Sequence, residues 1–292
     1  MYGVKARMRI PILVFLLALS PILVIASPST QSTQPTLATK CDALLDKWQP
    51  KLSTEHFAVT ISPPFVIAGD GGANRLTRYR DGTILPAMRA LQKQFFAKPP
   101  SEPILILLFE SEEPYRRLAK DWFGDTNVAY FGYCRHDGVM LMNVSTGTGT
   151  LVHELVHALI APDMPRVPSW FNEGLASLYE QSQFTEDGGI RGLKNWRLPA
   201  LQRAIRQDKL RPLGELIADD DFYAEDRTGL NYAQARYVLM YLQEKGTLRE
   251  FYKAFRAGVK DDSTGAKTFK SHIAPQELKD FESEWRDWVL HL

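Results

Sequence analysis

Residues 150–160, TLVHELVHALI, constrain the fold more than any other stretch of this chain. Leu151, Val152, Leu155, Val156, Leu159 and Ile160 give the segment a helical period and enough apolar surface to bury it. His153, Glu154 and His157 are carried inside with them. The helix is expected to end before Pro162. Pro162, Pro165 and Pro168 then turn the chain, and Ser169 is placed to cap a second helix, SWFNEGLASLY, which holds Glu173. Two helices joined by a short turn pack side by side, so Glu173 is expected to face the histidines.

Histidines at i and i+4 share one helix face, and two imidazoles there reach one cation. Glu154 projects about 100° around the helix from His153, beside that cation, where a carboxylate can hold a water. A catalytic zinc site also needs a third protein ligand and one open position, and Glu173 is the candidate. Gly174 next to it permits close approach of another backbone. Glu180 is the nearest spare carboxylate, about two turns further along. The bland alternative is an amphipathic helix with two partly exposed histidines, and a first-turn glutamate favoured by the helix dipole.

The N-terminus points to export. Lys5, Arg7 and Arg9 precede the uncharged run IPILVFLLALSPILVIA, closed by Ala26 and Ser27. Two readings stand, a cleaved signal peptide over residues 1–26 and an uncleaved membrane anchor. The short run and its Pro11 and Pro21 favour cleavage. Cleavage removes three of the 35 basic residues, leaving 32 against 34 acidic ones. A near-neutral domain gives no reason to expect nucleic acid as a partner, and contact with a membrane is expected only if the segment is retained. Cys41 and Cys134 permit one disulfide in an exported chain, and the sequence leaves open whether they meet. Asn143 begins an NVS glycosylation pattern.

Residues 27–40, rich in Ser, Thr, Gln and Pro, read as a flexible tether, and residues 41–292 as one folded domain. HFAVTI, PFVIAG and PILILLF are strand-like. Ser111 is placed to cap the helix EEPYRRLAKDWF. VAYFGYC and GVMLMNV flank Asp137-Gly138, a hairpin turn pair. Strand 139–143, just before the metal helix, offers an edge for an extended peptide or else lies inside the sheet. From Thr146 onward the pattern is mainly helical. The fold class is therefore α+β: an N-terminal mixed sheet with helices over 41–145, then a helical part over 146–292 that carries the site. His56, His136, His272 and His291 are isolated, the acidic run 219–221 reads as a solvated face, and Trp170, Phe171, Tyr237 and Tyr241 read as core.

HELVH with a downstream glutamate resembles the gluzincin zinc peptidases of the peptidase MA-like group. WFNEGLASLY is similar to the WLNEGFA segment of the M1 aminopeptidases. The close likeness covers about 30 residues, and a looser order of elements covers roughly 60–270. The resemblance implies a zincin-like fold, Zn²⁺ held by His153, His157 and Glu173, Glu154 as general base, and a peptide or protein substrate. It also implies a downstream hydrogen-bond donor to the substrate carbonyl, for which Tyr232 stands in the corresponding place; a tyrosine there also serves simply to pack a helix. Fifteen residues separate His157 from Glu173, fewer than in the thermolysin or M1 pattern. GVMLMN only echoes the Gly-x-Met-x-Asn exopeptidase strand, so aminopeptidase activity is not implied. Two other classes remain on the sequence: a non-catalytic zinc-binding module, for which Glu154 would be idle, and a metal-dependent hydrolase of cell-wall peptide amides.

Overall fold

Runs of apolar residues with no polar alternation belong to strands covered on both faces, and the first half of the chain is built on such runs. The computed structural model describes residues 35–135, 137–218 and 221–292. The expected signal peptide, most of the tether, His136, Asp219 and Asp220 lie outside the described residues. The first half holds α1 (Leu37–Thr54), β1 (Ala58–Ser62), β2 (Phe65–Gly69), α2 (Ala73–Tyr79), a π-helical turn (Arg80–Ile84), α3 (Leu85–Gln94), β3 (Ile104–Phe109), α4 (Glu112–Phe123), β4 (Gly132–Cys134) and β5 (Val139–Asn143). The strands form one mixed sheet in the order β1-β2-β3-β5-β4, parallel at β2–β3 and β3–β5 and antiparallel at both ends.

Side chains alternate between two cores. Phe65, Ile67, Ile106, Leu108, Met140 and Met142 face α3 and the helical half. Val66, Ala68, Leu105, Leu107, Phe109 and Leu141 face α1 and α4. The second half holds α5 (Gly149–Asp163), α6 (Ser169–Leu178), a hairpin of β6 (Ser182–Phe184) and β7 (Ile190–Gly192), α7 (Leu198–Arg206), α8 (Leu213–Ala218), α9 (Thr228–Glu244), α10 (Leu248–Gly258), α11 (Ala266–Ile273) and α12 (Leu278–Leu290). The α+β arrangement expected from the sequence is the one observed.

Several local expectations need correction. Helix α1 begins at Leu37, with the Thr36 hydroxyl accepting from the Thr39 amide at 3.2 Å, so the folded part starts before residue 41. Ser111 and Ser169 make no side-chain capping bond; Pro168, with extended backbone, holds the position before α6. Helix α5 continues through Pro162 to Asp163, because a proline in the last turn removes only one helical hydrogen bond. Strand β5 is not an edge: β3 pairs on one side and β4 on the other, and β4 is the edge strand at that end of the sheet. Both cysteines are free. Cys41 is buried in the core beside α1 and Cys134 packs against the core on the opposite sheet face, so no bridge forms. Asn143 is buried and donates to the Tyr130 carbonyl at 3.2 Å, which keeps it from a glycosylating enzyme.

Candidate metal centre

Helix α5 rests against the sheet through Leu151, Leu155 and Leu159, which belong to the larger core. Its polar face meets α6. Helix α6 is pressed onto α9 at Gly174, where an added Cβ would lie 3.1 Å from the Ala235 carbonyl. The close approach expected of this glycine is thus present. Arg236 of α9, fully buried, donates through Nε to the Ser177 carbonyl at 2.9 Å and through its terminal nitrogen to the Leu193 carbonyl. It serves the buried C-terminal end of α6, whose last carbonyls lack helical partners. Burial brings its pKa down to about 10, so it stays charged at neutral pH.

This packing converges three donor atoms. Nε2 of His153 and Nε2 of His157 are 3.0 Å apart. Oε2 of Glu173 lies 3.3 Å from the first and 3.5 Å from the second. His153 and Glu173 are buried, at 8% and 6% exposure. Oε2 of Glu173 has no hydrogen-bond partner. A buried carboxylate oxygen without a donor is costly, whereas a cation among the three atoms would satisfy all of them. Four-coordinate zinc with ligands near 2.0–2.1 Å sets its ligand atoms about 3.3 Å apart. The two imidazoles and one carboxylate therefore fit a zinc-type ion in donor chemistry and in spacing.

The surrounding groups fix the ligands. Oε1 of Glu173 accepts from the Tyr223 hydroxyl at 2.7 Å, which leaves only Oε2 turned to the histidines. Nδ1 of His157 meets Oδ1 of Asn172 at 2.9 Å. Nδ1 of His153 faces Oε1 of Glu180 at 3.3 Å. Glu180 is held in turn by Arg197 at 3.0 Å and Asn195 at 3.1 Å. Outer groups of this kind set the tautomer and the ring orientation of histidine ligands. Gly149 makes room for them, since a Cβ there would lie 2.3 Å from the Glu180 carbonyl oxygen.

Charge at the cluster is strongly coupled. Burial opposes a proton on His153, but Glu173, Glu180 and Glu154 outweigh it and raise its pKa to about 10. Burial likewise opposes the Glu173 carboxylate, and the two histidines outweigh it, holding the group ionised well below the usual range. Glu154 is buried at 9% exposure. Its charge reaches the Cys134 thiol, whose pKa burial, Glu154 and Asp137 together push up to about 12. Cys134 is thus a thiol at neutral pH.

Tyr232 of α9 lies beside the cluster, its ring stacked on His153 with centroids 6.5 Å apart. Burial and the Glu173 carboxylate push its phenol pKa well above the ordinary value. Tyr223 was not singled out in the sequence. Nothing in the pattern FYAED marks it, because it arrives from the loop before α9. Asn172 stood in the motif without a role, and Glu180 was noted only as a spare carboxylate. Of the residues expected outside the site, Trp170, Phe171, Tyr237 and Tyr241 are buried core, and Asp221 pairs with Arg211 at 3.4 Å.

Two clefts border helix α5: His157 lines one, and Glu180, which faces His153, lines the other. One, of about 670 Å³, is lined by Phe131, Val152, Glu180, Trp196 and Arg197, with Gly147–Thr150 at its floor. The other, of about 620 Å³, is lined by Cys134, Arg135, His157, Ala158 and Pro162.

Residues 147–261 match a family described as a protein of unknown function, DUF1570. The matched span contains all three converging residues together with Glu154, Glu180, Tyr223 and Tyr232. No curated protein matches the chain.

Proposed function

We propose that the protein is an exported zinc-dependent peptidase in which His153, His157 and Glu173 hold the ion. The observation that carries this reading is the unpartnered Oε2 of buried Glu173, 3.3 and 3.5 Å from two imidazole nitrogens. A divalent ion bound there supplies Lewis acidity toward a water and toward the substrate carbonyl. Glu154 takes a proton from the attacking water and delivers it to the leaving amine nitrogen as the C–N bond breaks. Tyr232 or Tyr223 donates a hydrogen bond to the carbonyl oxygen as charge gathers there. Glu180 and Asn172 hold the two imidazoles so that Nδ1 of each is engaged and Nε2 is presented.

The edge strand β4 packs against α5 and has no strand on its outer side among the described residues. An extended peptide can add there through its backbone, which gives recognition with little dependence on sequence. This favours a peptide substrate over the non-catalytic module, for which neither Glu154 nor an open edge has a use. The basic and apolar pattern of residues 1–26, read as a signal peptide or an uncleaved anchor, supports action outside the cytoplasm, and among the described residues no helix is long and apolar enough to cross a membrane.

The test is Glu154→Gln. Zinc content should stay near one ion per chain, while peptide hydrolysis falls by about 10²–10⁴-fold. Full activity in the variant would remove Glu154 from the reaction. A native chain that takes up no zinc under metal-preserving conditions would overturn the reading as a whole.

A further inference from the structure

We infer that the bond cut lies inside an extended chain that fills clefts on both sides of the histidine–glutamate cluster, with a large apolar side chain against Phe131 and Trp196. This rests on the peptidase reading above and adds the choice between internal and terminal bonds.

The two clefts meet α5 and the edge-strand segment at successive positions along each. On α5, Val152 lines the first, and His157 with Ala158 lines the second. That interval is about 8 Å of helix. On the edge-strand segment, Phe131 lines the first and Cys134 the second. That interval is about 10 Å of strand. Strand and helix lie against each other, and His153 sits between the two sets of residues. A peptide laid along β4 advances about 3.3 Å per residue, so roughly three residues bridge the interval and the chain continues into a cleft at each end.

The charges of the clefts argue against a held terminus. An enzyme that removes terminal residues has to compensate the α-ammonium or the α-carboxylate of its substrate inside the site, since an unpaired buried charge is costly. The charged side chains of both clefts already face partners among the described residues. Arg197 pairs with Glu180, Arg135 with Asp125 and Asp137, and Glu102 with Lys40. His157 faces Asn172 and Glu173.

One cleft has apolar walls that nothing covers among the described residues. Phe131 and Trp196 are 47% and 60% exposed, among a handful of large hydrophobic side chains left in solvent. Tyr130 packs edge-on against Phe131 at 5.1 Å, and the Arg197 guanidinium lies 5.6 Å from the Trp196 ring, which braces both walls. Aromatic walls beside neutralised charges fit a large apolar side chain of the substrate.

The experiment uses the zinc-loaded chain and octapeptides blocked as acetyl and amide, beside unblocked aminoacyl amides. The blocked octapeptides should be cut internally, with kcat/KM at least about tenfold above the aminoacyl amides. Trp196→Ala should lower kcat/KM about tenfold for octapeptides bearing Phe or Leu next to the cut bond, within the range typical of a lost apolar contact. It should leave zinc content and octapeptides with Ala at that place nearly unchanged. Release of single residues from unblocked ends, with blocked peptides spared, would overturn the inference. Should nothing be hydrolysed, the peptidase reading fails and binding still decides this point. A blocked octapeptide should bind zinc-loaded Glu154→Gln at least about tenfold more tightly than either of its tetrapeptide halves. Equal affinities would mean that only one side is used.

Discussion

Helix α5 carries two buried polar clusters, and they are built on opposite rules. At its C-terminal end the Asp163 carboxylate accepts from the Lys98 amide at 3.1 Å through one oxygen. Through the other it accepts from the Tyr252 hydroxyl and from Arg256 at 2.9 Å. Every acceptor there meets a donor, and the cluster joins α5 to α10. Nearer the middle of α5, His153 and His157 meet Glu173 of α6, with three ligand atoms 3.0–3.5 Å apart and Oε2 of Glu173 without a well-formed hydrogen bond. A closed network holds a fold together, whereas a convergent set of ligand atoms is completed by a cation, which displaces the proton the free cluster holds. Burial alone does not tell the two apart; the balance of donors and acceptors does.

The comparison can be broken by substitution, beginning with the largest effect. Asp163→Ala leaves Arg256 and Tyr252 without their partner, and chemical unfolding should show a loss of about 3–5 kcal/mol, while zinc affinity of the folded protein stays as it was. Glu173→Gln should do the reverse. Competition with a chelator should show metal affinity down by at least about 100-fold, with the metal-free protein losing far less stability than Asp163→Ala does. If Glu173→Gln costs the metal-free fold as much as Asp163→Ala, the two clusters are of one kind and the distinction fails. Glu180→Gln keeps shape and hydrogen bonding toward His153 but removes charge, and a loss of about 10-fold in metal affinity is expected. An unchanged affinity would reduce Glu180 to a partner of Arg197.

The smallest effect is on pH. Burial works to raise the Asp163 pKa, but Tyr252 and Arg256 outweigh it and hold it below its ordinary value. A folded-state pKa below the unfolded one gives stability that is complete above the unfolded carboxylate pKa near 4 and is lost as pH falls through the lower folded value. Unfolding stability of the metal-free protein should therefore decline below about pH 4, and Asp163→Asn should flatten that decline. An unaltered slope would show that other carboxylates set it.

The sheet and the HELVH helix were legible because their signals are local. PILILLF is too short for a buried helix and too apolar for an exposed strand, and it forms β3. The VAYFGYC–GVMLMNV hairpin closes across Asp137-Gly138 as β4 and β5. The HELVH spacing puts two imidazoles on one face whatever lies beyond the helix. Less of the site's surroundings was legible. Strand order is a long-range choice, and nothing within residues 139–143 says that β4 will cover that edge. Tyr223 comes from a loop before α9, and Glu180 from beyond the end of α6, so neither has a spacing to read. Helix ends also slipped, at Pro162 and at Ser169, since tertiary packing overrides a weak capping preference.

By itself the sequence determined that His153 and His157 share one face of a largely buried helix, because i,i+4 spacing and apolar period are properties of a single helix and act over a few residues. Only the tertiary structure decided how those residues are held: which oxygen of Glu173 is left for an ion, which carboxylate stands behind His153, and which strand borders the clefts. These depend on contacts between elements far apart in the chain, where packing at Gly149, Gly174 and Arg236 sets distances that no local pattern encodes.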